Sequence, residues 1–365
     1  MWRFLRPDAS AVLGDAKAKR SLSRYFDVVR DKRYAKFVIA KRNPADFDGG
    51  LADSDLWLLH EQLTKEYQDL EGRIDGGKVN VGELPLPENS YLDLKIELAR
   101  RIIGACHLCE KRCGVDRLHG EVGLYCRTGD QMLVSTIFTH MGEEVPLTPS
   151  GTVFTLGCTI RCLHCQNWSI SQWYESGDAY QPKRMAREIE RLRREGCRNA
   201  NLVGGEPTPY LPQWLETFKH VRVNIPVVWN SNSYYSEETA KLLAGFVDVY
   251  LLDFKYGNDR CAERISSAPG YWEACTRNHL YAKKYGELLI RVLVLPEHLD
   301  CCLKPIVDWI AKNLGPDIRV NIMWQYRPEW RAHEIPELRR RLNAEERVRS
   351  IEIAEKAGLR NLEPH

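Results

Sequence analysis

Short apolar runs alternate with amphipathic segments through the middle of the chain. The apolar runs are rich in Val, Ile and Leu, and most of them stop at Gly, Asn, Asp or Pro, a pattern that predicts strands. We place six strands, at Val153–Leu156, Ala200–Val203, Ile225–Trp229, Val247–Leu252, Leu288–Leu295 and Arg319–Trp324. The segments between them predict helices at Pro182–Glu195, Pro212–His220, Glu237–Ala244, Trp272–Lys284 and Leu303–Asn313. This alternation favours an α/β fold with a parallel sheet, in which functional side chains gather at the carboxyl ends of the strands.

Amphipathic helices are also predicted on both sides of this region. Each is preceded by a residue whose side chain can cap the first turn of a helix. These helices are expected at Asp55–Leu70 after Ser54, at Tyr91–Ile103 after Ser90, and at Ala344–Gly358 after Asn343.

Composition and charge narrow the function classes. The 365 residues carry 52 Lys and Arg against 50 Asp and Glu, and this near balance gives no argument for bulk affinity to nucleic acid. No apolar run approaches the length needed to cross a bilayer, and Met1–Pro7 lacks the apolar region of a secretory signal. The twelve cysteines are grouped at short spacings, which indicates metal or iron–sulfur ligation in a reducing compartment. We therefore expect an oxygen-sensitive cytoplasmic protein without a nucleic-acid or membrane partner.

The most informative motif is a cysteine triplet directly after the first predicted strand. Cys158, Cys162 and Cys165 have the spacing C-x3-C-x2-C. Three thiolates ligate three irons of a [4Fe–4S] cluster and leave the fourth iron open to a small molecule. A structural zinc site takes four protein ligands, and an electron-transfer cluster normally takes four cysteines. The triplet therefore favours a cluster that binds a ligand.

The triplet and its context resemble the signature of the radical S-adenosylmethionine (SAM) superfamily, with His164 in the position before the third cysteine. Within that superfamily the chain is most similar to activating-enzyme-like proteins of the pyruvate formate-lyase activating enzyme group, over about Cys106 to Pro328. The resemblance implies a partial (β/α)6 barrel of the TIM-like type, a [4Fe–4S] cluster held by the three cysteines, and SAM bound at the open iron. It also implies reductive cleavage of SAM to methionine and a 5′-deoxyadenosyl radical, with His164 packed beside the adenine or the cluster.

A Gly-Gly-Glu triplet, Gly204-Gly205-Glu206, follows the second predicted strand. Two glycines let a ligand approach the backbone closely, and the carboxylate of Glu206 can accept hydrogen bonds from an amino group. The triplet resembles the superfamily motif that contacts the amino group of SAM. We therefore expect Gly204, Gly205 and Glu206 to bind SAM.

Polar residues at the next three strands extend the predicted cofactor site. Asn230 and Ser231 follow the third strand, Asp253 and Lys255 follow the fourth, and Arg291 interrupts the apolar fifth. Such groups are costly to bury unless they meet a ligand or each other, so Asp253 and Lys255 form either a ligand contact or a salt bridge. The resemblance implies that these positions surround the carboxylate and ribose of SAM. Asn230 replaces the usual aspartate, which weakens the expectation of a monovalent cation there.

A second cysteine set precedes the strands. Cys106, Cys109, Cys113 and Cys126 have the spacing C-x2-C-x3-C-x12-C, which is typical of a closed metal site. The site fits zinc, one iron or an auxiliary [4Fe–4S] cluster, as folding support or as an electron relay. The remaining five cysteines show no ligand spacing, and we expect them to be buried apolar side chains. They are Cys197, Cys261, Cys275, Cys301 and Cys302.

These features divide the chain into four expected parts. A helical N-terminal extension occupies residues 1–103, and a four-cysteine metal-binding module occupies residues 104–150. The radical SAM partial barrel occupies residues 151–330, and a helical tail occupies residues 331–365. We expect the extension to cover part of the barrel or of a partner.

Three functions stay open on the sequence alone. The first is an enzyme that abstracts hydrogen from a protein or peptide, nearest to the activation of glycyl-radical enzymes, with ferredoxin or flavodoxin as reductant. The second is a radical SAM protein C-methyltransferase, for instance on methyl-coenzyme M reductase. Cobalamin is not indicated, since no Asp-x-His-x-x-Gly motif occurs, although cobalamin binding without that motif leaves this route open. The third is a non-enzymatic iron–sulfur electron carrier, which has no need of the three-ligand loop.

Overall fold

The computed structural model describes residues 6–363, which form an open nine-stranded sheet flanked by helices. The strands are β1 (Met132–His140), β2 (Ser150–Thr155), β3 (Asp178–Tyr180), β4 (Ala200–Leu202), β5 (Val227–Ser231), β6 (Val249–Asp253), β7 (Glu287–Leu293), β8 (Arg319–Met323) and β9 (Asn361–Leu362). Their order in the sheet is β3-β1-β2-β4-β5-β6-β7-β8-β9. All neighbouring pairs from β2 to β9 are parallel, whereas β1 is antiparallel to both β2 and β3.

The predicted α/β fold is confirmed. The six predicted strands are β2 and β4 to β8, and they follow one another in chain order with helices in the connections. This is the arrangement of a partial (β/α)6 barrel, because the two edges of the sheet do not pair with each other. The edge strands β3 and β9, and β1 between β3 and β2, were not predicted.

The helices of residues 6–363 include four short ones near the start of the chain: α1 (Pro7–Ala11), α2 (Ala16–Ser21), α3 (Ser23–Val29) and α4 (Lys36–Ala40). Two longer helices precede the sheet: α5 (Asp53–Asp75) and α6 (Tyr91–Gly104). The connections of the sheet and the tail hold α7 (Trp168–Ser171), α8 (Pro182–Arg194), α9 (Leu211–His220), α10 (Glu237–Leu243), α11 (Asp259–Ser266), α12 (Tyr271–Tyr285), α13 (Lys304–Asn313) and α14 (Ala344–Lys356). None of the helices in residues 6–363 combines the length and the apolar character that crossing a bilayer requires.

The predicted N-cap residues are present at two of the three helices that were predicted on both sides of the strand region. Ser90 begins α6 and Asn343 begins α14, each in a capping box in which the side chain and a neighbouring carboxylate exchange hydrogen bonds with the backbone. The predicted cap at Ser54 is wrong, because α5 already starts at Asp53 and its N-cap position is held by Ala52 without a side-chain hydrogen bond.

The short N-terminal helices fill the amino-terminal half of the barrel interior. Their apolar side chains, such as Leu22 and Phe26, form one buried cluster with Val249, Leu251 and Leu289. Side chains alternate along a strand, so these strand residues point to the same face as Asp253 and Arg291 further along β6 and β7. The functional cavity can therefore occupy only the carboxyl-terminal half of that face. Residues 1–5 and 364–365 lie outside the described part of the chain. The prediction that no secretory signal is present rests partly on residues 1–5.

Candidate active site

A cavity of about 560 Å³ opens at the carboxyl ends of the parallel strands. Its volume lies in the range of ligand-binding pockets, roughly 300 to 1,000 Å³. All the residues predicted around the cysteine triplet line this one cavity: Cys158, Cys162, His164, Cys165, Gly204, Gly205, Glu206, Asn230, Ser231, Asp253, Lys255 and Arg291. Residues from five separate strand ends thus meet at one place.

The cysteine triplet sits in the loop between β2 and α7, and its thiols are free. Each sulfur lies within hydrogen-bonding distance of one polar side chain from elsewhere in the chain. These contacts are Cys158 with Asn232 at 3.5 Å, Cys162 with Ser266 at 3.0 Å, and Cys165 with Ser171 at 3.2 Å. Hydrogen bonds of this kind orient the ligands of an iron–sulfur cluster and tune its potential.

The three thiols of the triplet are protonated when no metal is bound. Burial raises the pKa of each thiol, that of Cys165 to about 11, so the thiolates that ligate iron are disfavoured as long as the sulfurs are alone. A bound cation replaces those protons and makes the thiolates stable. The positive charge of Lys255 on the opposite wall acts in the same direction on Cys162 and Cys165.

The two glycines of the Gly-Gly-Glu triplet are required by close packing against the cysteine loop. Gly204 has a φ of +67°, and a Cβ there would lie 2.0 Å from Thr155 Oγ1. A Cβ on Gly205 would lie 2.4 Å from the carbonyl oxygen of Gly157. A side chain at either position would push the turn away from the loop and change the shape of the cavity.

Glu206 is a buried carboxylate held by uncharged donors. Its Oε1 accepts hydrogen bonds from Thr208 Oγ1 at 2.6 Å and Ser231 Oγ at 2.7 Å, and its Oε2 accepts one from the backbone N–H of Asn232 at 2.8 Å. Burial raises the pKa of Glu206 to about 7, and the three donors only partly oppose this. A basic amino group entering the cavity would stabilise the ionised carboxylate, so the site fits the amino group of SAM.

Asp253 and Lys255 form an ion pair on the wall of the cavity. Lys255 Nζ lies 2.7 Å from Asp253 Oδ2. Burial lowers the pKa of Lys255, but Asp253 and Cys162 outweigh burial and hold it above its usual range. Lys255 therefore keeps its charge beside the cysteines. The salt bridge of the two alternatives is present, and contact of this pair with a ligand stays a prediction.

His164 packs in the interior without a charge. Its Nε2 lies 3.2 Å from the hydroxyl of Tyr256, and its ring meets Tyr326 edge-on with the centroids 5.8 Å apart. Burial lowers the pKa of His164 to about 3, so the imidazole is neutral at physiological pH. A base that weak is not suited to accept a proton, and the place of His164 beside the adenine or the cluster stays a prediction.

Arg291 has anionic partners that the sequence analysis did not identify. Its guanidinium pairs with Glu143 and with both carboxylate oxygens of Glu144, and its Nη1 donates to Asn230 Oδ1 at 3.1 Å. Asn321 Nδ2 also donates to Glu144 at 3.0 Å. Burial alone would raise the pKa of Glu143, but Arg291 outweighs it and holds the pKa well below its ordinary value. The network forms one wall of the cavity.

The four-cysteine module packs directly against the cysteine loop. The carbonyl oxygen of Cys126 accepts a hydrogen bond from Trp173 Nε1 at 2.7 Å and would lie 2.5 Å from a Cβ on Gly157. Burial is the main cause that raises the pKa of Cys109, and the neighbouring Cys126, Cys106 and Cys113 add to it. The metal of this module stays a prediction.

Replacing Cys109 with alanine tests whether the two cysteine sets act separately. We expect the variant to lose the metal of the module and some thermal stability, because a closed site with three ligands binds its metal more weakly. The triplet keeps its own sulfurs, so the electron paramagnetic resonance spectrum of the reduced cluster should still change when SAM is added. Loss of that SAM-induced change in a variant with wild-type cluster content would contradict the separation.

A third group of metal-ligand side chains was missed by the sequence analysis. Cys261, His298, Cys301 and Cys302 place their ligand atoms within 4.8 Å of one another. The expectation of a buried side chain is wrong for Cys301, which is exposed, whereas Cys261 and Cys302 are buried as expected. The connections after β6 and β7 bring the three cysteines together. A usable signal was present, since connections after neighbouring strands of a parallel sheet lie side by side. This group is a candidate metal site in addition to the cysteine triplet and the four-cysteine module.

Aromatic side chains border the cysteine loop. Trp168 stacks on Trp330 with the ring centroids 4.7 Å apart, and Tyr174 meets both rings edge-on. Tyr174 is 64% exposed, so part of the group faces solvent. Trp168 directly follows Asn167, which lines the cavity, and the group therefore stands beside the cavity.

Comparison with known proteins agrees with the geometry. Residues 152–310 match the family model described as the Radical SAM superfamily. The chain belongs to the radical SAM superfamily, and the resemblance inferred from the cysteine triplet is confirmed. It is a radical SAM enzyme, and its family implies a [4Fe–4S] cluster and SAM as cofactors.

Two curated relatives come from Methanocaldococcus jannaschii. Uncharacterized protein MJ0674 is 44% identical over 344 residues, which are 93% of this chain and 98% of the relative. Uncharacterized protein MJ0808 is 26% identical over 280 residues, or 69% of this chain and 81% of the relative. Among solved structures, Streptococcus suis SuiB is 15% identical and has a TM-score of 0.39. The alignment covers 57% of this chain and 46% of the SuiB chain. TYW1 with a lysine-pyruvate adduct is 14% identical and has a TM-score of 0.35. The alignment covers 56% of this chain and 73% of the TYW1 chain.

Proposed function

We propose that this radical SAM enzyme abstracts a hydrogen atom from a protein or peptide substrate, and that its reaction is nearest to the activation of glycyl-radical enzymes. The observation that supports the proposal most is the single cavity that unites the cysteine triplet with Glu206, Asp253 and Lys255. An electron carrier needs no such ligand cavity. A catalyst that must hold SAM against a cluster does.

Different residues of the cavity would bind the cluster and SAM. Cys158, Cys162 and Cys165 would ligate three irons, and Glu206 would accept hydrogen bonds from the amino group of SAM beside the open iron. After one-electron reduction the bound cofactors supply methionine and a 5′-deoxyadenosyl radical. Glu206 is buried, and the walls around it would keep water away from the chemistry that the bound cofactors supply.

The proposed substrate class rests on the aromatic group beside the cavity. Trp and Tyr side chains are enriched where proteins bind other proteins, since they bury a large area and keep a polar end. Trp168, Tyr174 and Trp330 offer such a surface next to the cysteine loop. A backbone segment bound there could extend its Cα hydrogen into the cavity.

The proposal includes a setting for the reaction. The enzyme would act as an oxidoreductase in post-translational modification, in an anaerobic cytoplasm, with ferredoxin or flavodoxin as the one-electron donor. Free cysteines at all twelve positions accord with a reducing compartment.

Cleavage of SAM tests the enzyme class. The anaerobically reconstituted and reduced protein should convert SAM to 5′-deoxyadenosine and methionine in amounts that exceed the protein, measured by liquid chromatography. The oxidised protein serves as the control, because cleavage requires an added electron. An intact reduced cluster that yields no 5′-deoxyadenosine would support the electron carrier instead.

A second experiment separates hydrogen abstraction from methyl transfer. A candidate target protein is incubated with the reduced enzyme and SAM, and is then examined by mass spectrometry and electron paramagnetic resonance. Glycyl-radical activation predicts an almost unchanged mass and a protein-centred radical signal. The gain of one methyl group would identify a C-methyltransferase and contradict the proposed reaction.

A further inference from the structure

We propose that Cys261, His298, Cys301 and Cys302 bind a single zinc ion, and that this ion ties the start of α11 to the turn that precedes α13. The sulfurs of Cys301 and Cys302 are 3.9 Å apart, and His298 Nδ1 lies 3.4 Å from the first and 3.5 Å from the second. Tetrahedral zinc, with bonds of about 2.3 Å to sulfur and about 2.05 Å to nitrogen, requires edges of about 3.8 Å between sulfurs and about 3.6 Å between sulfur and nitrogen. These three distances match those edges, and the sulfur of Cys261 lies within 4.8 Å of the other three ligand atoms.

The spacing of the four ligand atoms also favours a single metal ion over an iron–sulfur cluster. All four ligand atoms lie within 4.8 Å of one another. In a [4Fe–4S] cluster each cysteine binds a different iron, so its sulfurs stand further apart than the ligands of one ion. Three cysteines with one histidine form a closed donor set that is typical of structural zinc.

The orientation of His298 fits a metal ligand. Its Nδ1 faces the sulfurs, while its Nε2 lies 3.6 Å from the carboxylate of Glu337. Histidines that bind zinc commonly direct the second ring nitrogen to a carboxylate, which fixes the ring and strengthens the ligand. Arg264 pairs with the same carboxylate and holds it in place.

The backbone around the group is shaped for close approach. Leu299–Leu303 forms a π-helical turn, a rare conformation that is frequent at functional sites, and it brings both adjacent cysteines to His298. A Cβ on Gly257 would lie 2.5 Å from the carbonyl oxygen of Cys302, so only glycine fits where the two segments meet. Asn258 Nδ2 donates to the carbonyl of Cys301 at 2.7 Å and lies 3.9 Å from the sulfur of Cys302.

The zinc would act on the cysteine triplet through α11. Cys261 lies in the first turn of this helix, and Ser266 ends it. The carbonyl oxygen of Ser266 accepts from the backbone N–H of Arg161 at 2.8 Å, and its hydroxyl contacts Cys162 Sγ at 3.0 Å. An ion that fixes the start of α11 therefore also fixes the loop that holds the cluster. The assignment of zinc to these four residues does not depend on which reaction the enzyme carries out.

The test uses the full-length protein purified anaerobically with its iron–sulfur centres. Cys301→Ala is the main variant, because Cys301 is exposed and its loss leaves no large cavity. Cys197→Ala is the matched control, since Cys197 is also a free cysteine but is not part of the group. Elemental analysis should show about one zinc per chain fewer in Cys301→Ala than in wild type or Cys197→Ala. His298→Ala should lose the same zinc.

X-ray absorption at the zinc edge gives a readout that iron does not disturb. The zinc signal that disappears in Cys301→Ala should correspond to three sulfurs near 2.3 Å and one nitrogen near 2.05 Å, values expected for tetrahedral zinc. The thermal unfolding midpoint should fall in Cys301→Ala and in wild type treated with a zinc chelator, and the chelator should lower the midpoint of Cys301→Ala by less than that of wild type. Equal zinc in all variants, loss of iron in place of zinc, or a disulfide among these cysteines in the anaerobic protein would overturn the assignment.

Discussion

Replacing Cys162 with alanine is expected to abolish both the [4Fe–4S] cluster and the cleavage of SAM. Two sulfurs would remain for a cluster that needs three protein ligands. The nearest side chain, Ser266 at 3.0 Å from the cysteine sulfur, carries a hydroxyl that does not replace a thiolate for iron. The iron, sulfide and visible absorption that belong to this cluster should be lost after anaerobic reconstitution, and the yield of 5′-deoxyadenosine should fall to background, whereas any metal in the four-cysteine module should remain.

Two variants separate the loss of a ligand from a general disturbance of the fold. Ser266→Ala removes the hydroxyl contacts with Cys162 Sγ and with Tyr256, and it should keep the cluster, with SAM cleavage reduced by at most roughly 10- to 100-fold, as for other outer partners of metal ligands. Cys197→Ala removes a buried thiol outside all three cysteine groups and should keep the iron content and the SAM cleavage of wild type. A Cys162→Ala protein that keeps the iron content and the turnover of wild type would show that Cys162 is not a cluster ligand.

The sequence predicted the parallel strands and the cavity wall because both carry local signals. Apolar runs define β2 and β4 to β8, and polar residues directly after such runs stand out from their neighbours. Parallel strands bring their carboxyl ends to one side, so residues as distant as Cys158 and Arg291 could be placed in one site. Glycines that precede Glu206 mark the close approach of two backbones, which the structure shows at Gly204 and Gly205.

The features that sequence analysis missed depend on contacts between distant segments. Glu143 and Glu144 lie in a loop before β2 and belong to no motif, so nothing local connects them with Arg291. Cys261 and Cys302 are 41 positions apart, and their proximity follows from the adjacency of two connections and from a π-helical turn. The short helices α1 to α3 were not predicted, because helices of five to seven residues show too little periodicity.

Replacing Arg291 with methionine should destabilise the protein strongly. The guanidinium is only 17% exposed and pairs with two carboxylates that are 6% and 3% exposed, those of Glu143 and Glu144. Removing the cation leaves two negative charges in a buried site, and breaking a buried pair in this way typically costs about 3–5 kcal/mol. Urea unfolding of the apoprotein, followed by circular dichroism, should show this loss as a lower midpoint.

A triple variant identifies the unpaired charges as the cause. Arg291→Met combined with Glu143→Gln and Glu144→Gln carries no charge in the network and should regain most of the lost stability, since replacing a whole buried ion pair by neutral groups is often close to neutral. The same proteins address the prediction that Arg291 contacts SAM. A single Arg291→Met variant as stable as wild type, with SAM binding weakened in spectral titrations, would show that the arginine serves the cofactor and that its pairing with Glu143 and Glu144 contributes little to the fold. Loss of stability with full recovery in the triple variant, in both the folding and the SAM titrations, would instead assign Arg291 to the wall of the cavity.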